Sequence, residues 1–150
     1  MTTTKPATTT TTPPSVNVKT GQKGLNRILN EQKGYSTLII IGKRGEKTRQ
    51  AETMAFQRGL NEDFGCYLKV DGRYGDRSKR VVAAHWIKEG MKGELVKALQ
   101  ASLYCHGFQT KGIDGKFGSD TVKAVKAFQK SVAIKADGLV GPVTVSELLK

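Results

Sequence analysis

This chain has little of what stapled or metal-dependent proteins are built around. Two cysteines in 150 residues, Cys66 and Cys105, are too few for a disulfide framework. With His85 and His106 they make four zinc-capable side chains in number, but Cys105 and His106 are adjacent and no paired short spacing of the zinc-site kind occurs. Buried or inert thiols are therefore expected, and a disulfide joining the two halves is an open but unsupported alternative. No stretch is long and apolar enough to span a membrane. The densest apolar run is Leu38-Ile39-Ile40-Ile41, read as a buried segment and a candidate short strand. The first 21 residues lack the apolar run of a secretory signal peptide. Acidic residues number only 13, and no carboxylate pair or nucleophile–base pair stands out. Most acids fit turn or solvent-facing roles, so a non-enzyme with no cofactor and no metal is expected.

What the chain does have is positive charge, threonine at its start and a repeated phrase at its end. The formal net charge is +12, divided as +2 over residues 1–21, +6 over 22–91 and +4 over 92–150. That balance suits an anionic partner. The cations are scattered, however, and no nucleic-acid fold signature accompanies them, which makes nucleic acid the weaker choice. Residues 1–21 are Thr-rich, with Pro6, Pro13 and Pro14, and contain almost nothing apolar. Such a composition cannot form a packed core and reads as an extended or disordered tail.

The repeated phrase is Asp-Gly-x-x-Gly-x-x-Thr. It occurs as Asp114-Gly115-Lys116-Phe117-Gly118-Ser119-Asp120-Thr121 and again as Asp137-Gly138-Leu139-Val140-Gly141-Pro142-Val143-Thr144. An Asp side chain can accept from the amides just after it and close a tight turn. The first Gly supplies a positive φ, and the second takes the helix N-cap region. The Thr falls in the first helical turn, where a hydroxyl can meet free amides. Pro142 sits where a helix tolerates proline best. Downstream, Thr121, Ala124, Val125 and Phe128 share one helix face, and Leu95, Leu99 and Leu103 form a stripe upstream. Leu139, Val140, Val145, Leu148 and Leu149 supply a third. Three short amphipathic helices burying one another's apolar sides are predicted.

With Leu95, Leu99, Gln100, Leu103 and Gly107 ahead of the two phrases, residues 93–150 resemble the small three-helix peptidoglycan-binding domain found on cell-wall hydrolases, spore-cortex enzymes and phage lysins. A worn copy of the same phrase lies upstream. Gly34-Tyr35, Gly42 to Thr48, Ala51 and Phe56-Gln57 follow the order of the later copy, and Asp71-Gly72-Arg73-Tyr74-Gly75-Asp76-Arg77-Ser78 stands where the second turn should. Ile41 replaces the first turn's Asp, Ser78 replaces Thr, and the two turns lie further apart, with the extra length around Asn61–Leu68. A competing alignment pairs Asp71-Gly72 with Asp114-Gly115 and Gln57 with Gln100. The resemblance therefore implies a mainly α protein of tandem three-helix units: a tail at 1–21, a degenerate unit at 22–91 and a clear unit at 92–150.

A small module recognises sugar or peptide with polar groups beside an aromatic face. In the clear unit this points to Asp114, Lys116, Phe117, Asp120, Thr121 and Gln129, with Asp137 and Gly138 nearby. In the worn unit it points to Asp71, Arg73, Tyr74 and Asp76. Phe117, Phe128 and the lone Trp86 are read first as core, and the Asp and Thr residues as turn formers. Tyr74 and Arg73 are the best placed to touch a glycan. The resemblance implies peptidoglycan or associated anionic wall polymers as partner, bound without cleavage. Lacking a signal peptide and a membrane partner, the protein is expected to be phage-encoded, made in the host cytoplasm and delivered to the wall or a virion. Other virion proteins or a separately encoded catalytic lysin are further partners, and a structural virion protein is the alternative.

Overall fold

Pro14 occupies the first position of α1 (Pro14–Ile28), where its missing amide is no loss. The structure, a computed structural model, describes residues 14–150. Of the expected tail, residues 1–13 lie outside the described residues, whereas 14–21 are the first half of α1. That helix begins early because Val18 and Leu25, both buried, recur at helical spacing with Leu29 just past its end and give it a face to bury. Asn17 is buried beside them and donates to Gly107 O at 3.1 Å. The threonines ahead of this stripe obscured it in sequence.

Five further helices follow: α2 (Glu46–Phe64), α3 (Asp76–Ala84), α4 (Glu94–Cys105), α5 (Ser119–Ser131) and α6 (Pro142–Leu148). The protein is mainly α, as expected, and the helices fall into two successive triplets joined by turns. The wider spacing of the turns in the first triplet has a simple cause. Helix α2 is 19 residues long against 13 for α5, and it ends on Gly65 in the left-handed conformation.

Helix α4 lies against both α1 and α2. Every residue from Leu95 to Cys105 except Lys97 is buried, so it is a core helix and not a surface one. Its crossing with α2 is close: a Cβ on Gly59 would stand 2.6 Å from Leu95 Cα. One continuous core results, running from Leu25 and Leu29 through Phe56, Leu60 and Leu99 to Phe128, Val145 and Leu148.

Leu38–Ile41 does not become the buried segment or strand its composition suggests. Leu38 alone is buried, and Ile39 is 82% exposed. No strand among the described residues pairs with it; Asn26 brackets Leu38 instead, donating to its carbonyl at 3.1 Å and accepting from its amide at 2.8 Å. Asn61 treats Leu68 in the same way, at 2.8 and 2.7 Å. The segment joining the triplets is strapped to the second one. Ile87 and Val140 exchange backbone bonds of 2.9 and 2.8 Å, and Gly90, Met91 and Gly93 bond to Phe117 and Gly115.

Candidate functional site

Four turns of one design organise the surface, and the polar side chain that builds each is a glutamine on the preceding helix. Gln100 is the fullest case. Its Oε1 accepts from Gly115 N at 2.9 Å, and its Nε2 lies 3.1 Å from Asp114 Oδ1, 3.0 Å from Lys116 O and 3.1 Å from Thr121 Oγ1. Gln129 does the same for Gly138, Asp137, Leu139 and Thr144 at 3.0–3.2 Å. Gln57 reaches Gly72, Asp71 and Arg73, and Gln22 reaches Gly42, Lys43 and Thr48. The glycine in each turn has φ between 76° and 78°, the left-handed region that a side chain would strain. Gly45, Gly75, Gly118 and Gly141 cap the following helices in extended conformation. Thr121 and Thr144 were expected to meet helix amides; their hydroxyls instead close the glutamine brace.

This construction accounts for several residues singled out in sequence. Asp114 accepts from Lys116 N at 3.0 Å, and that amide with Gln100 holds its carboxyl below the usual range. Asp137 is lowered in the same way, chiefly by the Leu139 amide. At Asp71 burial pushes upward, but the Arg73 amide and Gln57 outweigh it. Phe117, Thr121 and Gln129 are buried, the first in the core and the other two within the braces. Asp120 pairs with Lys111 at 3.7 Å. Lys116, Arg73 and Asp76 are exposed, and Tyr74 is half-buried. The candidate set does not converge on one site: each turn keeps its own members.

Two concave features lie beside these turns, and both involve residues that sequence reasoning passed over. The first is an apolar cleft of about 210 Å³ on the last turn, lined by Trp86, Ile134, Asp137, Leu139 and Val143 among others. Trp86 was expected in the core but is 47% exposed, with Leu139 at 39% and Val143 at 65%. Its indole lies against the α6 N-cap, where a Cβ on Gly141 would stand 2.6 Å from Trp86 Cε2. The glycine that caps the helix thus also seats the aromatic ring. The second feature is a groove between α2, the turn at Gly72–Tyr74 and the end of α6.

The first turn departs from the other three in its core. Two residues after the turn glycine stand Tyr74, Phe117 and Val140, and ten after it stand Val82, Val125 and Leu148; the first turn has Arg44 and Glu52 there. Glu52 is fully buried. Arg44 donates to both its carboxylate oxygens at 2.7 and 2.9 Å, Ser102 donates at 2.9 Å, and Arg44 also reaches Leu148 O and Lys150 O. His106 donates from Nε2 to Leu148 O at 2.7 Å. Burial, then Arg44, hold His106 down at about 4, so the imidazole is neutral. Burial lifts the Glu52 carboxyl against the pull of Arg44, and burial beside Glu52 pushes the Cys105 thiol up. Cys66 and Cys105 are free thiols.

Residues 92–148 match the family described as "Putative peptidoglycan binding domain". The chain is 48% identical over 60 residues to a probable N-acetylmuramoyl-L-alanine amidase of Bacillus licheniformis, a match covering 39% of this chain and 17% of the amidase. It is 44% identical over 64 residues to the spore cortex-lytic enzyme of Halalkalibacterium halodurans, covering 43% of this chain and 19% of the enzyme. A third relative, FadG of Bacillus subtilis, is 30% identical over 132 residues, 85% of this chain and 22% of that protein. The chain thus spans about a fifth of the length of these relatives. Residues 92–148 are a domain of the peptidoglycan-binding family, homologous to domains carried by cell-wall and spore-cortex hydrolases.

Proposed function

We propose that this protein binds bacterial peptidoglycan without cleaving it, and that its glycan contact is the Trp86 cleft. The observation that carries the reading is the half-exposed indole of Trp86, which lies outside the family-matched residues but packs on their last turn, flanked by Leu139 and Val143. An aromatic face edged by aliphatic groups suits the apolar faces of sugar rings, and Asp137 beside it offers an acceptor for hydroxyls. Lys116, Asp120 and the exposed side of Asp114 flank the neighbouring turn and are proposed as secondary contacts, with Arg73 and Asp76 in the same role on the first triplet. We also propose that the first triplet is a worn copy of the same domain; its glutamine braces and turn glycines support this.

The test is co-sedimentation with purified, protein-free sacculi at near-physiological and high salt, for the native chain and for a folded Trp86→Ala variant. Binding that survives high salt and falls at least tenfold in the variant is expected. Binding that never appears, or vanishes with salt, overturns the reading. A phage setting, as a wall-binding or virion-associated protein, is part of the proposal. The Thr- and Pro-rich composition of residues 1–13, suited to a tether, and the net charge of +12 support it. Mass spectrometry of purified virions checks it, and absence from particles would overturn the virion version.

A further inference from the structure

The groove between the two triplets, about 410 Å³ in volume, carries features that the fold does not require. Tyr74 stands where the other two apolar turns place Phe117 and Val140, so its ring does a packing job that needs no hydroxyl. That hydroxyl is nonetheless present, shut off from solvent and without a hydrogen bond. The Ser146 hydroxyl acts on it favourably but does not reach hydrogen-bond geometry. An unpartnered buried hydroxyl is destabilising, and it is a ready donor for any acceptor brought to it.

Of the three cations lining the groove, Lys150 pairs with Glu147 at 2.8 Å, whereas Arg49 and Lys79 have no acidic partner among the described residues. Arg49, half-buried on α2, makes no ion pair or side-chain hydrogen bond with any described residue. Lys79 Nζ stands 5.9 Å from the centroid of the Tyr74 ring and has no carboxylate partner among the described residues. Among the described residues Glu46 is the one acid in the lining, and it pairs with neither. Ser146, Leu149 and Lys150 complete the far wall from the end of α6. Two cations without acidic partners and a buried donor around a polar hollow are the complement of an anion.

We propose that this groove, formed jointly by the first triplet and α6, binds a carboxylate or phosphate group of the wall polymer, with Arg49 and Lys79 as its charge partners and the Tyr74 hydroxyl as a directed donor. The inference rests on the wall-binding reading and gives the first triplet a share in it. Two wall components carry this chemistry: the free carboxylates of uncrosslinked stem peptides and the phosphodiesters of teichoic polymers. Because the contact is an exposed charge pairing, it weakens with salt, unlike the contact at Trp86.

The experiment is an amide NMR titration of the full chain with two probes: a synthetic stem tripeptide bearing two free carboxylates, and a short glycerol-phosphate oligomer. Shifts centred on Arg49, Tyr74, Lys79 and Ser146 with either probe are expected, and the probe that binds identifies the source. Arg49→Ala should weaken that probe by about tenfold. Tyr74→Phe should weaken it severalfold while leaving the melting temperature unchanged or raised, which a merely structural tyrosine would not do. Absence of shifts with both probes overturns the proposal, as does an Arg49→Ala variant of unchanged affinity. If sacculi still bind in a Trp86-dependent manner when both probes fail, this inference falls alone; if the probes bind and sacculi do not, the glycan reading falls alone.

Discussion

The turn at Gly42 and the turn at Gly115 fold to the same backbone by different means. At Gly115 the loop is closed by Gln100 and by Asp114, and the space beneath it is filled by Phe117 and Val125. At Gly42 there is no Asp, only Gln22, and beneath it lies the Arg44–Glu52 ion pair. Both glycines still have φ near 77°. The aspartate is therefore an accessory, whereas the glutamine and the glycine are the essentials of the design. The core below the turn tolerates a charged pair only because Ser102, the Leu148 carbonyl and bidentate geometry satisfy it.

The largest effect should come from breaking the odd turn's pair. Glu52→Ala leaves a partly buried guanidinium unpaired and should cost about 3–5 kcal/mol in urea unfolding. Converting the pair to the apolar one of the Gly115 turn, Arg44→Phe with Glu52→Val, should recover most of that loss. A double variant as unstable as Glu52→Ala would show that the two turns are not interchangeable.

Acid should act on the same turn. His106 is held neutral at about 4 in the fold against an ordinary value of 6.5. Its contribution is fully present above pH 6.5 and is lost as pH falls from there to about 4, amounting to about 3 kcal/mol. Glu52, whose carboxyl burial lifts, runs the other way and offsets part of the loss. Comparing native chain with His106→Gln by urea unfolding at pH 7.5 and 4.5 isolates the histidine; equal slopes in the two proteins would refute its role.

Next comes the brace. Gln100→Ala strands the Gly115 amide and the Lys116 carbonyl, and should cost about 2 kcal/mol, as should Gln22→Ala at the Gly42 turn. A large disparity between them would mean that the aspartate carries more of the turn than its geometry suggests. The smallest effect is a gain: Ile41→Asp installs the missing aspartate at an exposed position and should add about 0.5–1 kcal/mol, read from thermal melts.

The glycine spacing, the three-helix plan and the family resemblance were legible in sequence because each is set by local backbone demands: positive φ after Asp, an extended cap and a helical stripe. What escaped was non-local. The bracing role of the glutamines did not show, since the loops they hold lie 8 to 26 residues away along the chain. Glu52 reads as an ordinary helix residue until Arg44 and α4 enclose it. Trp86 reads as core, because one cannot see in sequence that Gly141 seats only one face of its ring. Leu38–Ile41 has the composition of a strand, but a strand needs a partner, and none among the described residues comes alongside.

The buried Glu52 cluster also bears on how such a chain can change over generations. Small wall-binding domains are the sort of part that genomes copy, delete and shuffle between enzymes. Here the first triplet supplies Arg44 and Glu52, while the second supplies Ser102 and the carbonyl of Leu148. Remove either triplet and the other inherits a buried charge or a naked polar group. With that pairing in place the two triplets cannot be traded separately, and they pass on as a single heritable part.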